Sequence, residues 1–206
     1  ISNFFVLSSH KVIPPAMRLL LESEEVKIDG FICPGHVSVI IGSNAYGFIP
    51  KEYGVPCVIA GFEPLDILQG ILMLIRQIKS GDPKVEIAYK RAVRPEGNIN
   101  ALKILDEVFE ICDVRWRGLG VVPLSGMSIR EKYRRYDAKY AFNVEIEPEK
   151  EHEGCLCGEV LRGVQIPSEC PFFANLCTPD TPIGPCMVSS EGTCSAYYKY
   201  GIIWKK

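Results

Sequence analysis

Six of the nine cysteines fall in the last quarter of this 206-residue chain, and four of them, Cys157, Cys170, Cys177 and Cys194, are spaced C-x12-C-x6-C-x16-C. Thiolates are soft ligands, suited to zinc and iron–sulfur clusters rather than to hard cations. Zinc sites favour paired short spacings such as C-x2-C, whereas here a single C-x-C, Cys155-Leu156-Cys157, stands beside long irregular gaps. A [4Fe–4S] cube takes one thiolate per iron from wherever the chain brings it. The spacing therefore favours a cluster on Cys157, Cys170, Cys177 and Cys194, with zinc second and disulfides or free thiols third. Cys155 and Cys186 are left over in the same stretch, where they can form a disulfide or a redox-active pair. An odd cysteine total and the lack of a basic-then-apolar leader pattern make a full disulfide framework the weaker account, so a reducing cytoplasm is expected.

These thiols sit in a Gly/Pro-rich tail, 154–206, whose shape needs a staple; an α/β lobe, 1–129, and a charged connecting segment, 130–153, precede it. In the lobe, Phe4-Phe5-Val6-Leu7, residues 28–32 and Val58-Ile59-Ala60 read as strands, and a short apolar strand is expected around Val114. Pro14-Pro15 open a helix carrying Met17, Leu20 and Leu21; Leu68, Ile71, Leu72 and Ile75 mark an amphipathic helix; Asn98 can cap a third, with Leu102, Leu105, Val108 and Phe109 on one side. Such alternation predicts a mostly parallel sheet with helices on both faces.

In an open parallel sheet, ligands sit outside the carboxyl ends of the strands. Three strand ends carry polar groups: Ser8-Ser9-His10, Cys33-Pro34-Gly35-His36 and Gly61-Phe62-Glu63-Pro64-Leu65-Asp66. His10, His36, Glu63 and Asp66 are thus expected to line one cleft, although carboxylates at a helix start also simply offset the helix dipole. Gly42–Gly47 matches no phosphate-binding fingerprint and reads as a turn. Arg94–Asn98 and Trp116-Arg117-Gly118-Leu119-Gly120 are connections or ligand loops. Cys57 and Cys112 read as small core residues, and Cys33 borders the cleft.

The composition, 47% hydrophobic and 23% charged with a formal net charge of −2, is that of a folded globular chain without an electrostatic call on nucleic acid or anionic membrane. No apolar run approaches the ~18 residues of a membrane helix. The chain starts at Ile1 and enters a strand-like run almost at once, so it is expected to be the C-terminal portion of a longer protein.

Pro34-Gly35-His36-Val37-Ser38, Gly61–Leu68, Trp116–Gly120, Cys157-Gly158-Glu159-Val160-Leu161-Arg162-Gly163 and Pro185–Cys194 together resemble the HypD family of [NiFe]-hydrogenase maturation proteins over nearly the whole chain. The resemblance implies two α/β lobes around a cleft and a C-terminal [4Fe–4S] region. It also implies work with a HypC-type chaperone and a HypE-type cyanide donor, building an Fe(CN)2CO unit for the hydrogenase large subunit on a redox-active scaffold rather than a conventional turnover enzyme. Carried over, Cys157, Cys170, Cys177 and Cys194 match the cluster ligands, Cys155 with Cys186 the cluster-proximal thiol pair, and His36, Glu63 and Asp66 the cleft motifs. The family's G-P-G-C-P-V-C segment is not in this chain. The lobe that would hold most of the transient iron site is therefore expected elsewhere. A metal-stapled interaction module, on zinc or a cluster and without redox work, is the alternative.

Overall fold

In the computed structural model, which describes residues 1–143 and 152–201, three short strands, β1 (Phe31–Pro34), β2 (Cys57–Ala60) and β3 (Val85–Ile87), form a parallel sheet in that order. All four residues of β2 are buried. Cys-Val-Ile-Ala is the continuous apolar run that a central strand covered on both faces requires. Each parallel step needs a crossover. Helix α2 (Gly35–Ile41), a 3-10 turn at Asn44–Tyr46 and a π turn at Ile49–Tyr53 return the chain to β2, and the long helix α3 (Pro64–Ser80) returns it to β3. Helix α2 starts directly at the end of β1 because residue 35 has no side chain: a Cβ there would lie 2.5 Å from the Ala60 carbonyl oxygen and 3.0 Å from the Tyr89 ring.

The chain is mixed α/β, as expected, but its strands are placed differently at three points. Phe4–Leu7 is no strand of the sheet; Val6 makes one isolated bridge to Asp137, and Phe4, Phe5 and Leu7 stay exposed. Its backbone bonds go instead to the segment around Asp137, Val6 N–H donating to the Tyr136 carbonyl at 2.8 Å and the Val6 carbonyl accepting the Ala138 amide at 2.9 Å. The strand expected at 28–32 lies at Phe31–Pro34. The strand around Val114 is one arm of a hairpin, β4 (Phe109–Trp116) and β5 (Gly120–Ile129), with the intervening turn too short for a parallel return.

Helix α3 differs more instructively. Its register puts Asp66, Gly70 and Gln77 against the sheet and leaves the apolar stripe, Leu65, Leu68, Ile71, Leu72, Ile75 and Ile78, exposed. Gly70 permits the approach, since a Cβ there would meet the Ala60 Cβ at 3.0 Å. Buried Gln77 is satisfied: its Nε2 donates to Glu86 Oε2 at 2.7 Å, and its Oε1 accepts the Lys84 amide at 2.9 Å. The stripe that marks the amphipathic helix in the sequence, Leu68, Ile71, Leu72 and Ile75, is thus its outward face.

Helix α4 spans Ile99–Val108 and is capped as expected, Asn98 Oδ1 accepting the Ala101 amide at 3.0 Å. Asn98→Ala is expected to cost about 1 kcal/mol, read as a lower urea midpoint with an unchanged slope.

Contacts divide the chain into two interleaved units: one of residues 1–10, 28–111 and 127–141, holding the parallel sheet, the other of 11–27, 112–126 and 142–206. The second contains α1 (Ile13–Leu21), most of the hairpin, and the short helices α6 (Cys157–Leu161), α7 (Pro185–Val188) and α8 (Thr193–Tyr200). Its three stretches are tied by backbone bonds, Val12 N–H to the Ser125 carbonyl at 2.7 Å and Lys27 N–H to the Arg162 carbonyl at 2.8 Å. Of the connecting segment expected at 130–153, Glu131–Tyr136 is a 3-10 turn and Ala138–Ala141 a short helix, α5; positions 144–151 lie outside the described residues.

Candidate metal centre

Each of three short helices in the second unit contributes one thiol. Cys157 opens α6, Cys186 sits on α7 and Cys194 on α8. Their sulfurs lie within 4.8 Å of one another, and all three residues are buried. Cys177 and Met187 complete the buried cluster, with Cys155, Phe172, Phe173, Ile183 and Tyr198 packed around it. Cys155 Sγ lies 3.5 Å from Cys157 Sγ. Cys177 Sγ accepts the Ile183 amide at 3.3 Å, the kind of hydrogen bond that tunes a metal-bound sulfur. Cys170 is half-buried and acts electrostatically on Cys194.

Glycine makes the convergence possible. A Cβ on Gly184 would stand 2.5 Å from Cys157 Sγ and 2.6 Å from Cys155 Sγ, and one on Gly192 would overlap the Cys186 carbonyl. The thiols of the closest group mainly face one another and apolar walls. The Cys186 thiol is pushed up to about 12, first by its hydrogen-bonded neighbour Cys157, against a lowering by Cys194, with burial adding to the rise. Cys157 also rises to about 12: the Cys186 hydrogen bond lowers it, but Cys194, burial and Cys155 outweigh that. A buried group of protonated thiols of this kind suits a soft metal ion, which displaces the protons and supplies positive charge. The donor set fits a thiolate-bound cluster or a single soft ion.

Of the expected ligands, the structure thus brings Cys157 and Cys194 together, with Cys177 in the same buried cluster. It adds Cys186 to the closest group, and Cys155 touches Cys157.

A second polar cluster lies in the first unit, at the carboxyl ends of β1 and β2. Asp66, in the first turn of α3, is buried and takes a bidentate pair of hydrogen bonds from Arg91, Nη1 to Oδ1 at 2.8 Å and Nη2 to Oδ2 at 2.6 Å. Arg91 lies over the Tyr89 ring at 4.4 Å and reaches Glu63 at 3.5 Å. His36 is exposed beside Phe62, ring centroids 4.4 Å apart. Two of the three expected strand ends therefore share an edge. His10 is not part of it, because residues 4–7 supply no strand: Ser8 Oγ lies 3.0 Å from its Nδ1, and its ring meets Phe109 edge-on at 5.1 Å.

Arg91 is the group sequence reasoning missed. It follows β3, whose three residues Val-Glu-Ile carry too little pattern to be recognised, yet a third parallel strand's end is where such a residue belongs. Cys33 and Cys57 are both buried in the sheet, and the Cys57 thiol's hydrogen bond, together with burial, pushes the Cys33 thiol far up, as core residues. Cys112 is half-buried.

The Arg91 hydrogen bonds, against some opposing burial, hold the Asp66 carboxyl below the usual carboxylate range. A depressed folded value means the contribution is complete above the unfolded pKa of about 3.9 and is lost as pH falls below it. Asp66→Asn is expected to lower the thermal midpoint by about 2–4 °C at neutral pH, and the gap to wild type should close on acidification below about pH 4. A gap that stays constant with pH would argue that the carboxylate charge contributes nothing.

Among the described residues no helix is long and apolar enough to cross a membrane. The family model described as HypD, hydrogenase formation hypA family, matches residues 1–201. A hydrogenase expression/formation protein of Methanocaldococcus jannaschii is 49% identical over 97% of this chain and 56% of its own length. The hydrogenase maturation factors HypD of Cupriavidus necator and Azotobacter vinelandii are 48% and 45% identical, each over 98% of this chain and 55% of the relative. The chain thus spans little more than half the length of the curated relatives it matches. With a family model matching residues 1–201 and relatives 44–49% identical over 97–98% of its length, this chain belongs to the HypD family.

Proposed function

We propose that this chain is the part of a hydrogenase maturation factor that carries a [4Fe–4S] cluster and an adjacent redox-active thiol pair, acting in the cytoplasm with a HypC-type chaperone and a HypE-type cyanide donor. The cargo is the iron that becomes Fe(CN)2CO and passes to the hydrogenase large subunit; most of its binding site belongs to a lobe outside this chain. The observation that carries the reading is the burial of Cys157, Cys186 and Cys194 within 4.8 Å of one another, with Cys155 and Cys177 beside them.

When bound, a cluster supplies electrons singly. The protein's own part is to keep water out with Phe172, Phe173 and Met187 and to hold two further electrons as a dithiol that closes to a disulfide. In the starting assignment Cys157, Cys170, Cys177 and Cys194 are ligands and Cys155 with Cys186 is the pair. The close approach of Cys157 and Cys186 favours a second assignment, in which Cys157 pairs with Cys186 and Cys155 takes its place as ligand. At the sheet edge, His36 and Glu63 are the proposed polar groups of the cleft, and Asp66 works through Arg91 by fixing its guanidinium.

Anaerobic purification should give a brown protein with iron and acid-labile sulfide in equal amounts. A colourless protein with stoichiometric zinc would instead support the metal-stapled interaction module.

A further inference from the structure

The hairpin turn Arg117-Gly118-Leu119 is built to lie against the cysteine region. Trp116 Nε1 donates to the buried Ser125 Oγ at 2.7 Å, and that hydroxyl donates to the Val122 carbonyl at 2.8 Å, clamping the two arms. Gly118 has φ 80°, and a Cβ on it would stand 3.5 Å from the Cys157 Cβ; a Cβ on Gly158 would stand 3.1 Å from the Gly118 carbonyl oxygen. The turn therefore rests on the Cys157-Gly158 backbone and brings Arg117 to the wall of a cavity of about 440 Å³.

That cavity is of the size that small ligands occupy. Among the described residues its lining carries two guanidinium groups, Arg117 and Arg162, and His152, against one carboxylate, Glu159. Arg162 is steered from α6, its Nε donating to the Gly158 carbonyl at 3.3 Å and its Nη2 standing 3.5 Å from Glu159 Oε1. Leu119 and Ile183 supply apolar wall, and the half-buried Cys155 supplies a sulfur. Planar guanidinium groups recognise carboxylates in preference to neutral groups.

We propose that this cavity binds a small organic anion bearing a thiol or disulfide, its carboxylates on Arg117 and Arg162 and its sulfur toward Cys155 and Cys157, which both line it. The sulfur part of the assignment rests on the redox reading of the neighbouring thiols; the anion preference does not.

Calorimetry on the anaerobically purified chain, with glutathione disulfide as the anionic probe and cystamine as a cationic disulfide, tests it. Saturable binding of glutathione disulfide, at least about tenfold tighter than cystamine, is expected. Arg117→Gln and Arg162→Gln should each weaken it about tenfold, while Lys51→Gln leaves it unchanged. Equal binding of both probes, or wild-type binding by both arginine variants with unaltered thermal melts, would overturn the assignment. A zinc-bearing chain that still prefers the anion would remove the redox reading and keep the cavity's anion site. A cluster-bearing chain without the preference would do the reverse.

Discussion

With the proposed cluster in place, Gly184→Ala is expected to strip the chain of most of its iron while leaving it soluble. The backbone at 184 is ordinary, φ −94° and ψ 155°, so any residue can adopt it. The obstacle is space alone, because the new methyl would stand 2.5 Å and 2.6 Å from two sulfurs. Real Cβ atoms do not approach that closely, and Cys157 is buried with Cys155 half-buried beside it, so either the thiols or helix α7 must move. Overpacking of this sort costs about 1–3 kcal/mol, and here the displaced atoms are the proposed ligands themselves. Iron and sulfide per chain should fall to about a fifth or less. Gly54→Ala is the control: residue 54 has φ 68° and faces open space. It should cost about 1 kcal/mol in backbone strain and keep the metal. Full iron content in the Gly184 variant would mean that the sulfurs do not take up the arrangement described above.

Cys155→Ser and Cys157→Ser are expected to part company, and the direction decides which thiol is a ligand. If Cys157 is a ligand, its loss abolishes the visible absorbance of the cluster, and the Cys155 variant keeps it. If Cys157 instead pairs with Cys186, as their proximity favours, the outcomes exchange. Cys186→Ser separates pair from ligand in both cases: iron stays near the wild-type level, but the two-electron thiol titration disappears. Loss of iron from that variant would place the metal on Cys157, Cys186 and Cys194 directly and count against both assignments.

The contrast explains how far the residues could be read in advance. Helix α4 and its Asn98 cap, the buried β2 strand and the turn at Asn44–Tyr46 were readable because their determinants are local: a capping side chain, a short apolar run, a glycine with φ 77° at position 42. The apolar spacing of α3 was equally plain, but periodicity gives a face without saying what covers it. Asp66, Gly70 and Gln77 face the sheet because each has a partner outside the helix, respectively Arg91, the Ala60 Cβ and Glu86 with Lys84. Likewise the six thiols announced a soft-metal region, yet which of two cysteines two residues apart faces Cys186 depends on how α6 is turned. Spacing along the chain does not carry that information.

The interleaving of the two units bears on how the thiols come to be assembled. The region that carries them is made of residues 11–27, 112–126 and 142–206, so it is not a terminal appendage that collapses by itself. Its closing contacts, such as Lys27 with Arg162 and Gly118 against Cys157, join positions more than a hundred and about forty residues apart respectively. Contacts of such range pay their loop entropy before they yield stability, and they slow folding. During synthesis the α1 stretch therefore meets the hairpin first, through Val12 and Ser125, and its contact with α6, through Lys27 and Arg162, only later. Insertion of the proposed metal then depends on all three stretches rather than being a step the cysteine segment completes alone, and an excised peptide of 154–206 is expected to bind iron poorly even with all six thiols present.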